Sequence, residues 1–319
     1  MGIRVEGLSK SYRRLLAVET VRALNGVTLE IQTGEIFGII GPNGAGKTTF
    51  LGCLLGFLRP DSGAVTIDGH APDDLEVRRV TGYLPERLVL DRWMSGRAFL
   101  SYHHALARLP HAARAREVDV ALEQVGLAAD AASRPIHRYS RGMLQRLGLA
   151  QALIGEPRYV FLDEPASGVD PAGVVLFRRL LNEVKGRGVT VVINSHQLEQ
   201  VERVCDRVAF VSGGRVEAIE TLAAGATLAR VLRVRALPGA FDRAGRDALE
   251  TLARGVGAQL ADLAAAQARF AVADDDGAAR LVAALVGAGI PVIEAAPEES
   301  RLERLFLEPP TATRTPPTP

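Results

Sequence analysis

The chain is poor in cysteine, in net charge and in long apolar runs, and each shortage narrows the class of protein. Its 319 residues contain two cysteines, Cys53 and Cys205, which lie far apart in apolar segments and form no CxxC pair. Such cysteines are typical of reduced, buried thiols, so we expect a reducing compartment. The formal net charge of +1 argues against a nucleic-acid partner, because general nucleic-acid binders usually carry a basic excess or stripe.

The longest uncharged apolar run, residues 281–293, is too short to span a bilayer and is interrupted by Gly287, Gly289 and Pro291. The first ten residues contain no apolar stretch of the kind found in secretory signals, so we expect none. We therefore expect a cytoplasmic protein that something else must hold at a membrane if it works there.

Apolar runs of strand length alternate with helical patterns through the first two thirds of the chain. A predicted helix over 171–186 begins at a proline, which is favoured in the first helical turn. The alternation predicts an α/β domain, residues 1–222, with a largely parallel sheet and helices on both faces. A strand-free stretch predicts an inserted helical subdomain at about 87–157. The predicted strands cover residues 27–31, 36–40, 159–163 and 189–194.

A second, smaller domain is predicted over residues 225–308. Alternation of apolar and polar residues predicts strands at 232–236 and 266–272. With helices and a last strand around them, the order is β-α-β-β-α-β, the arrangement of a ferredoxin-like α+β domain. Residues 300–308 have the pattern of a closing amphipathic helix, and the Pro- and Thr-rich tail 309–319 is predicted to be disordered. The remaining predicted elements are helices at 242–255 and 277–288 and a strand at 290–296.

The segment GPNGAGKTT, residues 41–49, follows a buried strand and opens a helix, which is the context that a P-loop requires. Its glycines let backbone N–H groups turn towards phosphate oxygens, and the helix dipole adds to the attraction. Lys47 supplies a charge to the β- and γ-phosphates, and the Thr48 hydroxyl can bind Mg²⁺. The sequence therefore predicts a site for a nucleoside triphosphate with Mg²⁺. The segment comprises Gly41, Pro42, Asn43, Gly44, Ala45, Gly46, Lys47, Thr48 and Thr49.

Two adjacent carboxylates end the predicted strand 159–163. Asp163 suits a Mg²⁺ contact, directly or through water, and Glu164 is placed to orient and deprotonate an attacking water. A strand followed by an acidic turn would look the same, but the P-loop favours the catalytic interpretation. His196 follows another strand end, where ligands collect in open parallel sheets, and can bond a γ-phosphate; a polar helix cap is the alternative.

Taken together, these motifs over residues 3–220 resemble the ATP-binding subunit of an ABC (ATP-binding cassette) transporter. The resemblance implies a head-to-tail homodimer with two ATP molecules between its subunits. On that pattern, Tyr12 stacks on adenine, although a surface aromatic in a turn is the alternative. The resemblance also makes residues 41–49 the Walker A loop, Asp163 and Glu164 the Walker B pair, and His196 the switch histidine. Asp170 becomes the D-loop residue that crosses to the partner subunit.

The segment YSRGM, residues 139–143, falls where the family has its signature, usually LSGGQ. By resemblance, the signature residues Ser140, Arg141, Gly142 and Met143 contact the γ-phosphate bound by the opposite subunit, through Ser140 and nearby backbone N–H groups. Tyr139, Arg141 and Met143 differ from the residues that are usual in the signature. The alternative to a nucleotide-binding signature is a helix that is only capped here. Arg141 adds positive charge at an anion site, so it need not oppose binding if its side chain points away from ATP.

Glu86 stands where the family has its Q-loop glutamine, which contacts Mg²⁺ and links the site to the membrane partner. A carboxylate can bind Mg²⁺, but it also adds negative charge near the triphosphate. Together with Arg141, this departure resembles the ABC-2 exporter subgroup for drugs, ions and lipids, whose ATPase and permease are separate chains. We expect a permease contact at residues 87–110 and a position on the cytoplasmic face of the membrane.

Two other functions remain open at this point. The first is a soluble ABC ATPase of translation or DNA repair, although such proteins usually carry two cassettes or a long coiled-coil insertion. The second is a small-molecule kinase or GTPase. No NKxD sequence for guanine occurs in the chain, and neither of these enzymes explains residues 139–147.

Overall fold

The computed structural model describes residues 2–13, 20–88, 91–167, 169, 171–222 and 230–297. The strands are β1 (Gly2–Arg13), β2 (Thr20–Gln32), β3 (Ile36–Ile40), β4 (Ser62–Ile67), β5 (Thr81–Leu84), β6 (Tyr159–Asp163), β7 (Thr190–Ser195), β8 (Arg207–Ser212), β9 (Arg215–Thr221), β10 (Arg230–Ala236), β11 (Gln259–Ala264), β12 (Gln267–Val272) and β13 (Val292–Pro297). The α-helices are α1 (Lys47–Leu54), α2 (Leu75–Arg79), α3 (Gly96–Leu106), α4 (Arg114–Gln124), α5 (Ala129–Ala132), α6 (Arg141–Leu153), α7 (Pro171–Gly186), α8 (Leu198–Glu202), α9 (Ala240–Ala244), α10 (Arg246–Gly255) and α11 (Asp275–Gly287).

The described residues up to 222 form one compact unit and those from 230 onwards form a second. The first unit is built on a six-stranded sheet in the order β5-β6-β7-β3-β8-β9. The strands β5, β6, β7, β3 and β8 run parallel, and β9 is antiparallel to β8. This architecture confirms the predicted α/β domain with a largely parallel sheet.

The central strands are buried along their whole length. Every residue of β3, β6 and β7 is buried, as expected for parallel strands covered on both faces. Between β5 and β6 the chain forms α3 to α6, which is the predicted helical insertion. A separate antiparallel sheet in the order β2-β1-β4 completes the unit.

In its described residues, 230–297, the second unit contains a four-stranded antiparallel sheet in the order β11-β12-β10-β13 and three helices. Its core contains Val234, Phe241, Leu249, Phe270 and Leu281, all fully buried. The helix predicted over 242–255 is divided into α9 and α10, because the chain turns at Gly245 with φ of +76°. The amphipathic helix predicted at 300–308 and the tail 309–319 lie outside the described residues.

Candidate nucleotide-binding site

The carboxyl ends of β3, β7 and β6 meet at one edge of the central sheet. The register pairs Ile40 with Ser195 and Asp163 with Asn194, so the three strands end side by side. The P-loop leaves β3 at this edge, the two predicted carboxylates leave β6, and His196 leaves β7. Pairing of parallel strands thus brings together segments more than 100 positions apart in the chain.

The P-loop takes a backbone shape that only glycine adopts easily at its turns. Gly46, which precedes α1, has φ of +103°, and a Cβ there would lie 2.2 Å from the carbonyl oxygen of Ala23. No side chain caps this helix, so its first N–H groups remain available to an anion. Pro42, Asn43 and Gly44 are exposed, and a Cβ on Gly44 would meet nothing within 4 Å. The loop is therefore open where phosphate has to approach.

Lys47 is folded back on the P-loop. Its Nζ donates hydrogen bonds to the carbonyl oxygens of Gly41 (2.8 Å) and Pro42 (3.1 Å). Burial lowers the pKa of Lys47, and the nearby carboxylates of Glu164 and Asp163 oppose this effect. An ammonium group carries three N–H donors, so one remains for a phosphate oxygen.

Tyr12 lies at the far end of the P-loop. It is on β1, and its hydroxyl is 3.4 Å from Oγ1 of Thr49. Tyr12 as a whole is 41% exposed, which leaves surface that a planar base could cover. Thr48, the predicted Mg²⁺ ligand of the loop, is exposed. The stacking role of Tyr12 stays a prediction.

Asp163 is buried at the end of β6, and Nδ2 of Asn194 donates to its Oδ1 at 2.6 Å. Burial raises the pKa of Asp163. The negative charges of Glu86 and Glu164 act in the same direction, whereas the Asn194 bond and the Lys47 charge oppose them. The negative charge of the exposed Glu86 therefore acts on the Asp163 carboxylate.

Glu164 is held by the end of the neighbouring strand β7. Its backbone has φ of +48°, a conformation uncommon for residues other than glycine, and its N–H donates to the carbonyl oxygen of Asn194 at 2.8 Å. Nδ1 of His196 is 2.8 Å from Oε1, and the Ser195 hydroxyl donates to Oε2 at 3.3 Å. Both carboxylate oxygens are thus engaged, and His196 itself is half exposed.

Asn194 and Ser195 contact the carboxylates of Asp163 and Glu164, and neither contact was predicted from the sequence. The only local signal is a polar residue that ends the apolar run VTVVIN. Their partners become visible only once β7 is known to lie beside β6.

The residues at this edge fit Mg²⁺ only together with a phosphate ligand. Within the described ranges, no group of three or more His, Cys, Asp or Glu side chains is arranged to hold a metal ion. Mg²⁺ is commonly bound by one or two carboxylates together with substrate phosphates. The second oxygen of Asp163 and the exposed Thr48 hydroxyl are suited to such a shared site.

The segment that resembles the signature begins helix α6. Ser140 caps it, accepting a hydrogen bond from the Met143 N–H at 3.2 Å, and both Ser140 and Arg141 are exposed. A Cβ on Gly142 would meet nothing within 4 Å, so the fold of this unit does not itself require glycine there. Tyr139 is buried, and its hydroxyl donates to the carbonyl oxygen of Ala131 at 2.8 Å. Asp170, the predicted D-loop residue, lies outside the described residues.

Comparison with known proteins supplies independent information. The sequence profile described as ABC transporter matches residues 24–167. An uncharacterised ABC transporter ATP-binding protein of Nostoc sp. is 42% identical over 199 residues, which cover 62% of this chain and 59% of that protein. The protein YxlF of Bacillus subtilis, with the same kind of name, is 38% identical over 67% of this chain and 69% of its own length. The chain spans about three fifths of the length of the Nostoc relative.

Three further comparisons concern a named resistance protein and two solved structures. The daunorubicin resistance ATP-binding protein DrrA3 of Streptomyces coeruleorubidus is 38% identical over 67% of this chain and 66% of its own length. A solved ATP-binding subunit of an ABC transporter is 30% identical with a TM-score of 0.62, covering 70% of this chain and 90% of that one. A dimeric cassette bound to ADP and Pi has a TM-score of 0.64 at 24% identity and supports the fold alone.

Proposed function

The chain belongs to the ABC transporter family of ATP-binding proteins, and from this premise we propose that it hydrolyses ATP to drive a membrane permease carried on a separate chain. The observation that carries this proposal is the carboxylate of Glu164. It is held through both oxygens by His196 and Ser195, at the sheet edge where the P-loop and Lys47 also lie. An oriented carboxylate beside a phosphate cradle is what hydrolysis of a triphosphate by water requires.

Each residue of the site has a distinct task in this proposal. The P-loop N–H groups and Lys47 bind the phosphates, and Glu164 takes a proton from the attacking water. His196 orients Glu164 and can bond the γ-phosphate. Thr48, Asp163 and Glu86 would hold Mg²⁺, which neutralises charge on the phosphates when it is bound.

The second ATP contact would come from another copy of this chain. The exposed Ser140 and the open side of Gly142, at the start of α6, form a surface that a phosphate can approach closely. Arg141 adds a positive charge to this surface, and Met143 follows in the same turn. We propose that ATP closes a homodimer through these residues and that hydrolysis reopens it. Asp170 would cross between subunits, although it lies outside the described residues.

An exporter of the ABC-2 type is the proposed transport system. The relative DrrA3 is named for daunorubicin resistance, which is consistent with removal of a compound from the cell. Glu86 and Arg141 are the departures that first suggested the same subgroup.

The permease contact is proposed on the exposed side of residues 87–110. Trp93 is 81% exposed, and Tyr102 and Leu106, four positions apart on α3, are 53% and 58% exposed. Phe99 of the same helix is buried, so the two faces are separate. None of the helices in the described ranges combines the length and the apolar character needed to cross a bilayer. We propose that the chain binds its permease at the cytoplasmic face of the membrane.

The substitution Glu164→Gln tests the catalytic assignment. Loss of a general base slows a reaction roughly 10²- to 10⁴-fold, so ATPase activity should fall by at least about 100-fold. The variant should still bind ATP and accumulate as a nucleotide-bound dimer in light scattering. Glu76→Gln, at an exposed carboxylate paired with Arg79, is the matched control and should leave activity unchanged. Hydrolysis at the wild-type rate by Glu164→Gln would exclude Glu164 as the base.

A further inference from the structure

Asn194, the buried residue near the end of β7, makes contacts that have no part in the proposed hydrolysis of ATP. It is only 2% exposed. Its neighbours Val192 and Ile193 in the same strand are buried as well, but they are apolar. Its side-chain Nδ2 donates to Oδ1 of Asp163 at 2.6 Å, and its carbonyl oxygen accepts the N–H of Glu164 at 2.8 Å. One residue therefore holds both members of the carboxylate pair.

An asparagine at this position is not explained by packing. Asparagine is disfavoured in strands, and a buried amide loses its bonds to water. Its Oδ1 is buried and has no hydrogen-bond partner among the described residues, so the amide is only half satisfied. The hydrogen bond to Asp163 is the side-chain contact that offsets this desolvation cost. Because a carboxylate accepts hydrogen bonds, the amide atom that faces Asp163 is the nitrogen.

We propose that Asn194 is a positioning residue for the metal-binding carboxylate of Asp163. Its N–H fixes the carboxylate in one orientation and occupies Oδ1, which leaves Oδ2 for Mg²⁺ or for a water bound to Mg²⁺. The unpartnered Oδ1 of Asn194 is available to accept a hydrogen bond from such a water. This inference rests on the proposed function, because it assigns a task within the same nucleotide site.

The test compares three variants of the full chain. Asn194→Leu removes both polar atoms while keeping the number and branching of the side-chain heavy atoms, although the methyl groups are bulkier. Asn194→Ala removes the polar atoms without adding bulk if the leucine variant does not fold. Thr190→Val is the matched control, since Thr190 is buried in the same strand and accepts a hydrogen bond from the Gly34 N–H at the opposite end. Binding of a non-hydrolysable ATP analogue is measured by calorimetry, in EDTA and over a series of MgCl₂ concentrations.

We expect the Asn194 variants to need more Mg²⁺ for the gain in analogue affinity, while their affinity in EDTA is kept. The Mg²⁺ concentration that gives half of the gain in affinity should rise about 10- to 100-fold in both Asn194 variants, as for other residues that orient a metal ligand. Affinity in EDTA should stay within about 2-fold of wild type, because Asn194 does not itself touch the nucleotide. Thr190→Val should match wild type in both measurements.

Two results would overturn the assignment. A wild-type Mg²⁺ midpoint in both Asn194 variants would show that Asp163 does not need this bond. An equal loss of affinity with and without Mg²⁺ would show that the whole site has collapsed, so that the role is structural. Failure of the wild-type chain to bind the analogue under any condition would instead contradict the proposed function itself.

Discussion

The charge of Glu86 is the departure from the family pattern that bears most directly on the nucleotide. It lies within electrostatic reach of Asp163 and would face the triphosphate as a third negative group. Glutamine keeps an oxygen that can bind Mg²⁺ but removes the charge. Interactions between exposed charges are commonly worth about 1 kcal/mol or less, so Glu86→Gln should lower KM for ATP by roughly 2- to 5-fold at low salt.

The effect of Glu86→Gln should shrink as salt is added, because exposed charges are screened over about 8 Å at 0.15 M. Steady-state ATPase assays at several KCl concentrations measure this, with Glu76→Gln as the control for a generic loss of charge. A KM that rises on removing the charge would mean that Glu86 acts as a metal ligand whose carboxylate cannot be replaced by an amide.

The positions of single residues were predictable where a local motif sets them, and their chemical roles stay predictions. Lys47, Asp163, Glu164 and His196 each follow a recognisable strand or loop, and the structure places them at one sheet edge. Asn194 was not predictable, because its role depends on which strand lies beside β7. Strand order follows from packing of the whole sheet, and no local pattern encodes it.

At the scale of elements, the unusual Tyr139 is accommodated by the glycine that begins α3. A Cβ on Gly96 would lie 2.4 Å from the Tyr139 hydroxyl oxygen and 3.2 Å from its ring. Gly96→Ala should therefore destabilise the chain by about 1–3 kcal/mol, the usual cost of overpacking. Urea denaturation with a matched wild-type measurement gives this difference.

The effect of Gly96→Ala on the free energy of unfolding should change sign when the Tyr139 hydroxyl is removed. In a Tyr139→Leu background the close contact is gone, and alanine favours a helix over glycine by up to about 1 kcal/mol. Gly96→Ala should then be neutral or stabilising. If it destabilises both backgrounds equally, the clash with Tyr139 is not what makes glycine necessary at position 96.

Elements were predicted best where their pattern is regular. The strands 36–40 and 159–163 and the helix 171–186 match β3, β6 and α7 residue for residue. Strand β1 was missed because its buried residues Ile3, Val5 and Leu8 are spaced by two and then by three. The pairing of β1 with β2 shifts register between Val5 and Leu8, so the alternation that marks a strand is broken there.

At the scale of the whole molecule, the proposed transport function requires a surface that binds another protein. Trp93 is the most exposed large apolar residue that the structure describes in the proposed contact. The loop that carries Trp93 is fixed by backbone hydrogen bonds from His137 to Arg92 (2.9 Å) and from Ile136 to Met94 (2.8 Å). A large aromatic side chain on a rigid loop suits an interface anchor, because little freedom is lost on binding. Trp93→Ala should weaken binding to native membranes by about 2 kcal/mol or more, as truncation of such anchors does.

Sedimentation of the purified chain with membranes of its source organism, stripped of the endogenous subunit, measures this binding. Leu75→Ala is the matched control, since Leu75 is also largely exposed but lies on α2, outside residues 87–110. Trp93 packs against His137, with 5.1 Å between the centroids of the two rings. A thermal melt must therefore first show that both variants are folded. ATPase activity of the isolated chain should be unaffected in both, because neither residue belongs to the nucleotide site. Equal loss of membrane binding in both variants would point to a general apolar attraction, and no loss in Trp93→Ala would move the permease contact away from this loop.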